Sequence, residues 1–62
     1  MAITMKQARV GLDYNQTEMA KAMGCSIGRY RKWEKNPGEM PIKEAQKFCE
    51  IVKLSYDEIL FA

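Results

Sequence analysis

The chain has 62 residues, 47% of them hydrophobic, and a formal net charge of +2 at pH 7. A chain of this length forms one domain, which we expect to cover residues 1–62, and its hydrophobic content is too high for a disordered tail. The sequence has neither an apolar run long enough to span a membrane nor a signal-peptide pattern, so we expect a cytoplasmic domain without a membrane partner.

The composition argues against enzyme chemistry. The sequence contains no His, the commonest general base and metal ligand. Cys25 and Cys49 are too far apart in the chain for a zinc-ligand pattern, and we expect both to be buried free thiols. A Gly-rich phosphate loop is also missing. We therefore predict no catalytic residue, no metal, no cofactor and no small-molecule substrate.

The first two predicted helices have clear start and stop signals. Thr4 and Asn15 are suitable N-caps, and Glu18 lies three residues after Asn15, where a capping box requires it. Gly11 and Gly24 are the expected stops, with Gly24 in the left-handed conformation. The side chains predicted to face the core are Met5, Ala8, Arg9, Leu12, Tyr14, Met19, Ala20 and Met23.

A third helix is predicted from Ile27, after the N-cap Ser26. Tyr30 and Trp33 are three residues apart and should face inward, and Asn36 is the expected left-handed residue after the helix. The positions predicted to face outward are Ile27, Gly28, Arg29, Arg31, Lys32 and Lys35.

The positive charge is concentrated on this third helix. Residues 27–36 contain four basic side chains and one acidic side chain, a balance of +3, whereas residues 37–62 contain three basic and five acidic ones, a balance of −2. The small Ala20 permits a close crossing of the second and third helices, since a larger side chain there would overpack the contact. Two amphipathic helices around a Gly are common in small α-domains, but the added charge favours a helix-turn-helix that binds DNA.

After the motif, Pro41 suits the first turn of a fourth helix. Ser55 and Glu58 form a capping-box pattern for a last short helix that carries Ile59 and Leu60. No segment shows the alternation typical of strands. The apolar face expected for the fourth helix consists of Ile42, Ala45, Phe48, Cys49 and Val52.

With these features the chain resembles the lambda repressor/Cro family of helix-turn-helix regulators, which includes xenobiotic-response-element-type and phage repressor-like proteins. The similarity runs from about Met5 to Phe61. The residues that carry it are Arg9, Asn15, Gln16, Ala20, Gly24, Ser26, the Trp33–Glu34 pair and the segment Leu54–Leu60.

This resemblance implies a compact all-α domain of five helices, with residues 27–35 as the recognition helix in the major groove. It also implies a partly buried ion pair between Arg9 and Glu34, and a homodimer on two half-sites. The sequence departs from the family at Ile27 and Gly28, and Asn36-Pro37-Gly38 replaces a single Gly. The apolar end, residues 59–62, either forms the dimer surface or folds back onto the core.

Two kinds of DNA contact are expected. Arg31 and Lys32 have the length and donors to reach guanine O6 and N7, whereas Arg29 and Lys35 are placed on phosphates. Gln16 lies where a backbone phosphate would pass. Ile27 either contacts a thymine methyl group or packs inside. The complete set of predicted DNA-binding positions is Asn15, Gln16, Ser26, Ile27, Gly28, Arg29, Arg31, Lys32 and Lys35.

The sequence therefore predicts a transcriptional regulator that binds a double-stranded operator, as a phage- or mobile-element-type repressor, and blocks polymerase or assists it by contact. Two alternatives remain. The fold also serves as an antitoxin or another protein-interaction module, and a purely structural helical bundle can carry a basic face without binding DNA.

Overall fold

The computed structural model describes residues 2–61, which form an all-helical arrangement of short elements. Four α-helices are present in this range: α1 (Met5–Val10), α2 (Gln16–Met23), α3 (Ile27–Lys35) and α4 (Ile42–Val52). Two 3₁₀ helices, Pro37–Glu39 and Tyr56–Glu58, follow α3 and α4. The all-α class is confirmed, but the count of five α-helices is not, because the last segment makes only one 3₁₀ turn.

Side-chain caps begin the first three helices as the sequence predicts. The Thr4 side chain accepts from the Gln7 N–H, the Asn15 side chain from the Glu18 N–H at 2.7 Å, and the Ser26 side chain from the Arg29 N–H at 3.2 Å. In α1 and α2 the side chain of the third helical residue also accepts a hydrogen bond from the backbone N–H of the cap residue, so both helices begin with a capping box. These bonds satisfy N–H groups that have no partner inside the helix.

The helix ends agree with the sequence at two of three positions, since α1 stops at Gly11 and α2 at Gly24, as predicted. Gly24 is left-handed, with φ of 74°. Asn36 is not, because Pro37 follows it and disfavours helical backbone in the preceding residue; Asn36 has φ of −130°. Gly11 keeps right-handed helical angles, and the positive φ values occur instead at Asp13 (61°) and Lys53 (59°).

The core is one cluster to which every α-helix contributes. Met19, Tyr30 and Phe48 are completely buried near its centre. Two predicted core residues are wrong: Tyr14 is 37% exposed and Ile42 is 70% exposed. Ile42 lies in the first turn of α4, and this helix reaches the core only from Ala45 onwards.

The carboxyl-terminal segment folds back onto this core. Ile59 and Phe61 are buried, and the Phe61 ring makes an edge contact with Phe48 and a stacked contact with Tyr56 at 4.8 Å. Leu60 is exposed, although its N–H donates to the Ile3 carbonyl at 2.8 Å. Of the two roles expected for residues 59–62, packing on the core applies to Ile59 and Phe61; Ala62 lies outside the described residues.

Cys25 and Cys49 are free and half-buried rather than fully buried. Desolvation raises the pKa of each thiol above its ordinary value. Both are therefore in the neutral form at pH 7 and act as small apolar groups. None of the helices between residues 2 and 61 is long and apolar enough to cross a membrane.

Two glycines in the middle of the chain give opposite predictions for the same substitution. A Cβ atom at Gly24 or Gly28 would meet no atom within 4 Å, but only Gly24 has a positive φ. Gly24→Ala should lower the free energy of unfolding by about 1–2 kcal/mol, because a Cβ strains left-handed backbone. Gly28→Ala should raise it by about 0.5–1 kcal/mol through helix propensity.

Urea unfolding followed by circular dichroism tests this pair, and each variant is the control for the other. If both variants were equally destabilised, the open surroundings of Gly28 in α3 would be disproved.

Candidate nucleic-acid interface

The turn between α2 and α3 is built from backbone hydrogen bonds. The Gly24 N–H donates to the Lys21 carbonyl at 3.1 Å, and the Cys25 N–H donates to the Ala20 carbonyl at 3.0 Å. The Ala20 side chain is buried. From α4, Lys47 Nζ donates to the Met23 carbonyl at 3.2 Å. These contacts fix the angle at which α3 leaves the turn.

The two faces of α3 differ sharply. Tyr30 and Trp33 are buried in the core, as the sequence predicts. Ile27 is half-buried and packs against the core, so packing is favoured over exposure to a base. The exposed residues of this helix are Gly28, Arg29, Arg31, Lys32 and Lys35. One face of α3 therefore presents four cationic side chains to solvent, and near the start of the helix this face has no side chain, at Gly28.

Behind this face, Glu34 forms an ion pair with Arg9. The Arg9 Nε–Glu34 Oε2 distance is 2.9 Å, and the two side chains are only 10% and 9% exposed. Arg9 Nη1 also donates to the Tyr14 carbonyl at 2.7 Å, which holds the loop between α1 and α2. The arginine thus connects α1, this loop and α3.

Glu34 accepts from two further side chains. The Tyr30 hydroxyl donates to Oε2 at 2.6 Å, and Gln16 Nε2 donates to Oε1 at 3.1 Å. Burial alone acts to raise the pKa of Glu34, but the bonds from Arg9, Tyr30 and Gln16 outweigh it and the pKa is lowered. The hydrogen bond to Glu34 raises the pKa of Arg9, and burial followed by the Glu34 bond raises that of Tyr30. The cluster therefore holds one anion, one cation and a neutral phenol at pH 7.

Gln16 connects this buried cluster to the surface. While its amide nitrogen donates to Glu34, its oxygen accepts from Arg31 Nε at 3.1 Å. Gln16 is half-buried and Arg31 is exposed. The sequence predicted a phosphate contact for Gln16 and a base contact for Arg31. In the structure the two side chains are hydrogen-bonded to each other.

A surface depression surrounds this bond and includes a residue that sequence reasoning missed. Its lining contains Lys6 and Lys35 together with Gln16, Arg31 and Glu34. Lys6 belongs to α1, outside the helix-turn-helix. No residue spacing in the sequence predicts which side chain of α1 lies near α3. The sequence indicated only that Lys6 is a charged residue next to Met5, which faces the core. The remaining predicted positions, Asn15 and Ser26, are exposed and engaged as caps.

The fold is that of a helix-turn-helix domain whose second motif helix carries an exposed cationic face. A helix-turn-helix family model matches residues 5–59. The chain belongs to this Cro/CI-type family, which confirms the resemblance to lambda repressor/Cro regulators; it is a DNA-binding regulatory family and not an enzyme family. No curated protein and no solved structure matched the chain.

Loss of either ion-pair partner should destabilise the fold. Arg9→Ala or Glu34→Ala leaves the other charge buried without its partner, which costs about 3–5 kcal/mol. Tyr30→Phe removes one donor to a charged acceptor and should cost about 1.5–3 kcal/mol. Chemical unfolding of the three variants measures these losses, with Lys43→Ala on exposed α4 surface as the control. Unchanged stability in Arg9→Ala or Glu34→Ala would contradict a structural role for the pair.

Acid should weaken the wild-type fold through the same carboxylate. The pKa of Glu34 in the folded protein lies below its ordinary value, so the ionised carboxylate stabilises the fold. This stabilisation is complete above the pKa of Glu34 in the unfolded chain, and it is lost as the pH falls through the pKa in the folded protein. Tyr30→Phe raises the folded pKa towards the ordinary value, so its stability should fall less steeply with acid. Asp57 and Glu58 also have lowered pKa values, through hydrogen bonds with Ser55.

The comparison of wild type with Tyr30→Phe between pH 7 and pH 2 isolates Glu34, because the Ser55 bonds are common to both proteins. Identical pH profiles would exclude Glu34 as a source of acid sensitivity.

Proposed function

We propose that this chain is a sequence-specific transcriptional repressor of phage or mobile-element type, which occupies a double-stranded DNA operator with α3 in the major groove. The observation that carries the proposal is the exposed face of α3, which is entirely cationic apart from Gly28 and lies on a helix held by its buried face. A helix presented by this motif fits the major groove of B-DNA.

Base readout is assigned chiefly to Lys32. The start of a recognition helix usually contacts bases, but Gly28 has no side chain and Ile27 packs on the core. Lys32 is exposed on α3 and its amine matches guanine O6 and N7. Arg29 is assigned to a phosphate, as is Lys35.

The caps at Asn15 and Ser26 present helix N-termini to the same DNA surface. Their side chains already accept backbone N–H groups, so their contribution is to orient the first turns of α2 and α3. We propose that two copies bind two half-sites about one helical turn apart, and that the bound dimer represses by excluding polymerase.

The decisive test is selection from a randomised duplex pool at two salt concentrations, with sequencing of the bound DNA. A repressor should enrich one palindromic motif and bind it less tightly as salt rises. Lys32→Ala should retain binding but lose preference at one base pair per half-site, a discrimination worth about 1–3 kcal/mol. Lys43→Ala is the matched control, since it removes one exposed lysine from α4.

Salt-sensitive binding without an enriched motif would contradict sequence specificity. An enriched motif without two-fold symmetry would contradict the dimer. If no duplex bound at either salt concentration, the antitoxin or protein-interaction alternative would replace the proposed function.

A further inference from the structure

The Arg31 guanidinium is directed towards the beginning of α2 by its bond to Gln16. Arg31 Nε donates to Gln16 Oε1 at 3.1 Å, and Gln16 is the first residue of α2. In a helix-turn-helix the first helix of the motif crosses the DNA backbone while the second enters the groove. The bond therefore draws Arg31 towards the part of the motif that meets phosphates.

The Gln16 amide has only one orientation compatible with its neighbours. A flipped amide would place its NH₂ group against the Arg31 Nε–H and its oxygen against the Glu34 carboxylate. Both contacts would then pair like with like, two donors or two acceptors. Glu34 is itself held by Arg9 and Tyr30. The hydrogen bond to Gln16 therefore restricts the Arg31 guanidinium in the free protein, and such a restriction reduces the entropy lost on binding.

The use of Nε by Gln16 leaves the Nη groups of Arg31 for a ligand. Two parallel N–H groups of a guanidinium match two oxygens of one phosphate. Lys6 and Lys35 line the same depression and add two positive charges from α1 and α3. Its one anion, Glu34, is already compensated by Arg9. The depression is therefore electropositive at its rim and has a preordered bidentate donor.

We propose that Lys6, Gln16, Arg31 and Lys35 form a phosphodiester site, in which Arg31 binds the DNA backbone instead of a guanine edge. Arg31 and Lys6 contact the phosphate, and Gln16 is the positioning residue for Arg31. This inference rests on the proposed binding to DNA, and it extends the interface from the helix-turn-helix to α1. Phosphate contacts set the position of the protein on the duplex and carry no direct base information.

Salt dependence and base preference separate the two roles of Arg31. On the duplex selected by the wild type, Arg31→Ala should reduce the slope of log affinity against log salt by about one and leave the preferred motif unchanged. Lys32→Ala should instead relax the preferred motif at one base pair, with a smaller change in the salt slope. Lys6→Ala should weaken binding to all duplexes alike, and Lys43→Ala should do nothing. Thermal melting of each variant controls for folding.

Double substitutions test whether these residues share one phosphate. Lys6→Ala combined with Arg31→Ala should lose less affinity than the sum of the single losses, because both remove contacts to the same group. Arg31→Ala should have a smaller effect on the salt slope in the Gln16→Ala background, where Arg31 is no longer positioned. A neutral methylphosphonate at the contacted phosphate should weaken the wild type more than it weakens Arg31→Ala, and it should leave the double variant of Lys6 and Arg31 unaffected.

Three results would overturn the proposal. Arg31→Ala could relax the motif at one base pair with an unchanged salt slope, which assigns Arg31 to a base. Additive losses for Lys6 and Arg31 would place them on separate groups. Unchanged wild-type affinity for a duplex with a methylphosphonate at each backbone position in turn would exclude a backbone phosphate as the ligand of Arg31. If the wild type enriches no motif but Arg31→Ala still lowers the salt slope on arbitrary duplexes, the phosphate site stands and sequence-specific repression fails.

Discussion

The Glu34 carboxylate is the acceptor on which the arrangement of the first three helices depends. It receives Arg9 from α1, Gln16 from α2 and Tyr30 from its own helix, within 2.6–3.4 Å. A buried anion is costly unless its oxygens are well paired, so each missing donor leaves a penalty that the others cannot remove. One side chain thereby joins the helix-turn-helix to the helix that precedes it.

The same carboxylate determines how the surface is organised. By fixing the Gln16 nitrogen, it also fixes the direction of the Gln16 oxygen and hence the position of Arg31. Two hydrogen bonds, from Gln16 to Glu34 and from Arg31 to Gln16, therefore connect the buried cluster to the cationic face of α3. In the DNA complex that we propose, this connection favours a defined position of the protein on the DNA backbone, and base discrimination falls to fewer side chains because Gly28 offers none.

Local features were predictable from the sequence because they depend on neighbours three or four residues away. The caps at Thr4, Asn15 and Ser26 and the left-handed turn at Gly24 are of this kind. So are the inward Tyr30 and Trp33 and the cationic outer face of α3. The expectations that were wrong involve competing local effects or distant packing. Pro37 changed the backbone of Asn36, while the edges of the core left Tyr14 and Ile42 exposed.

The sequence by itself determined the helix-turn-helix, its family and the concentration of positive charge on one helix, since periodicity, capping and charge are properties of contiguous residues. Only the tertiary structure decided that Phe61 packs against Phe48 and that Lys6 shares a depression with Arg31 and Lys35. It also decided that Gln16 and Arg31 are bonded to each other. These relations join residues far apart in the chain, so they depend on how the helices cross and not on the pattern within any one helix.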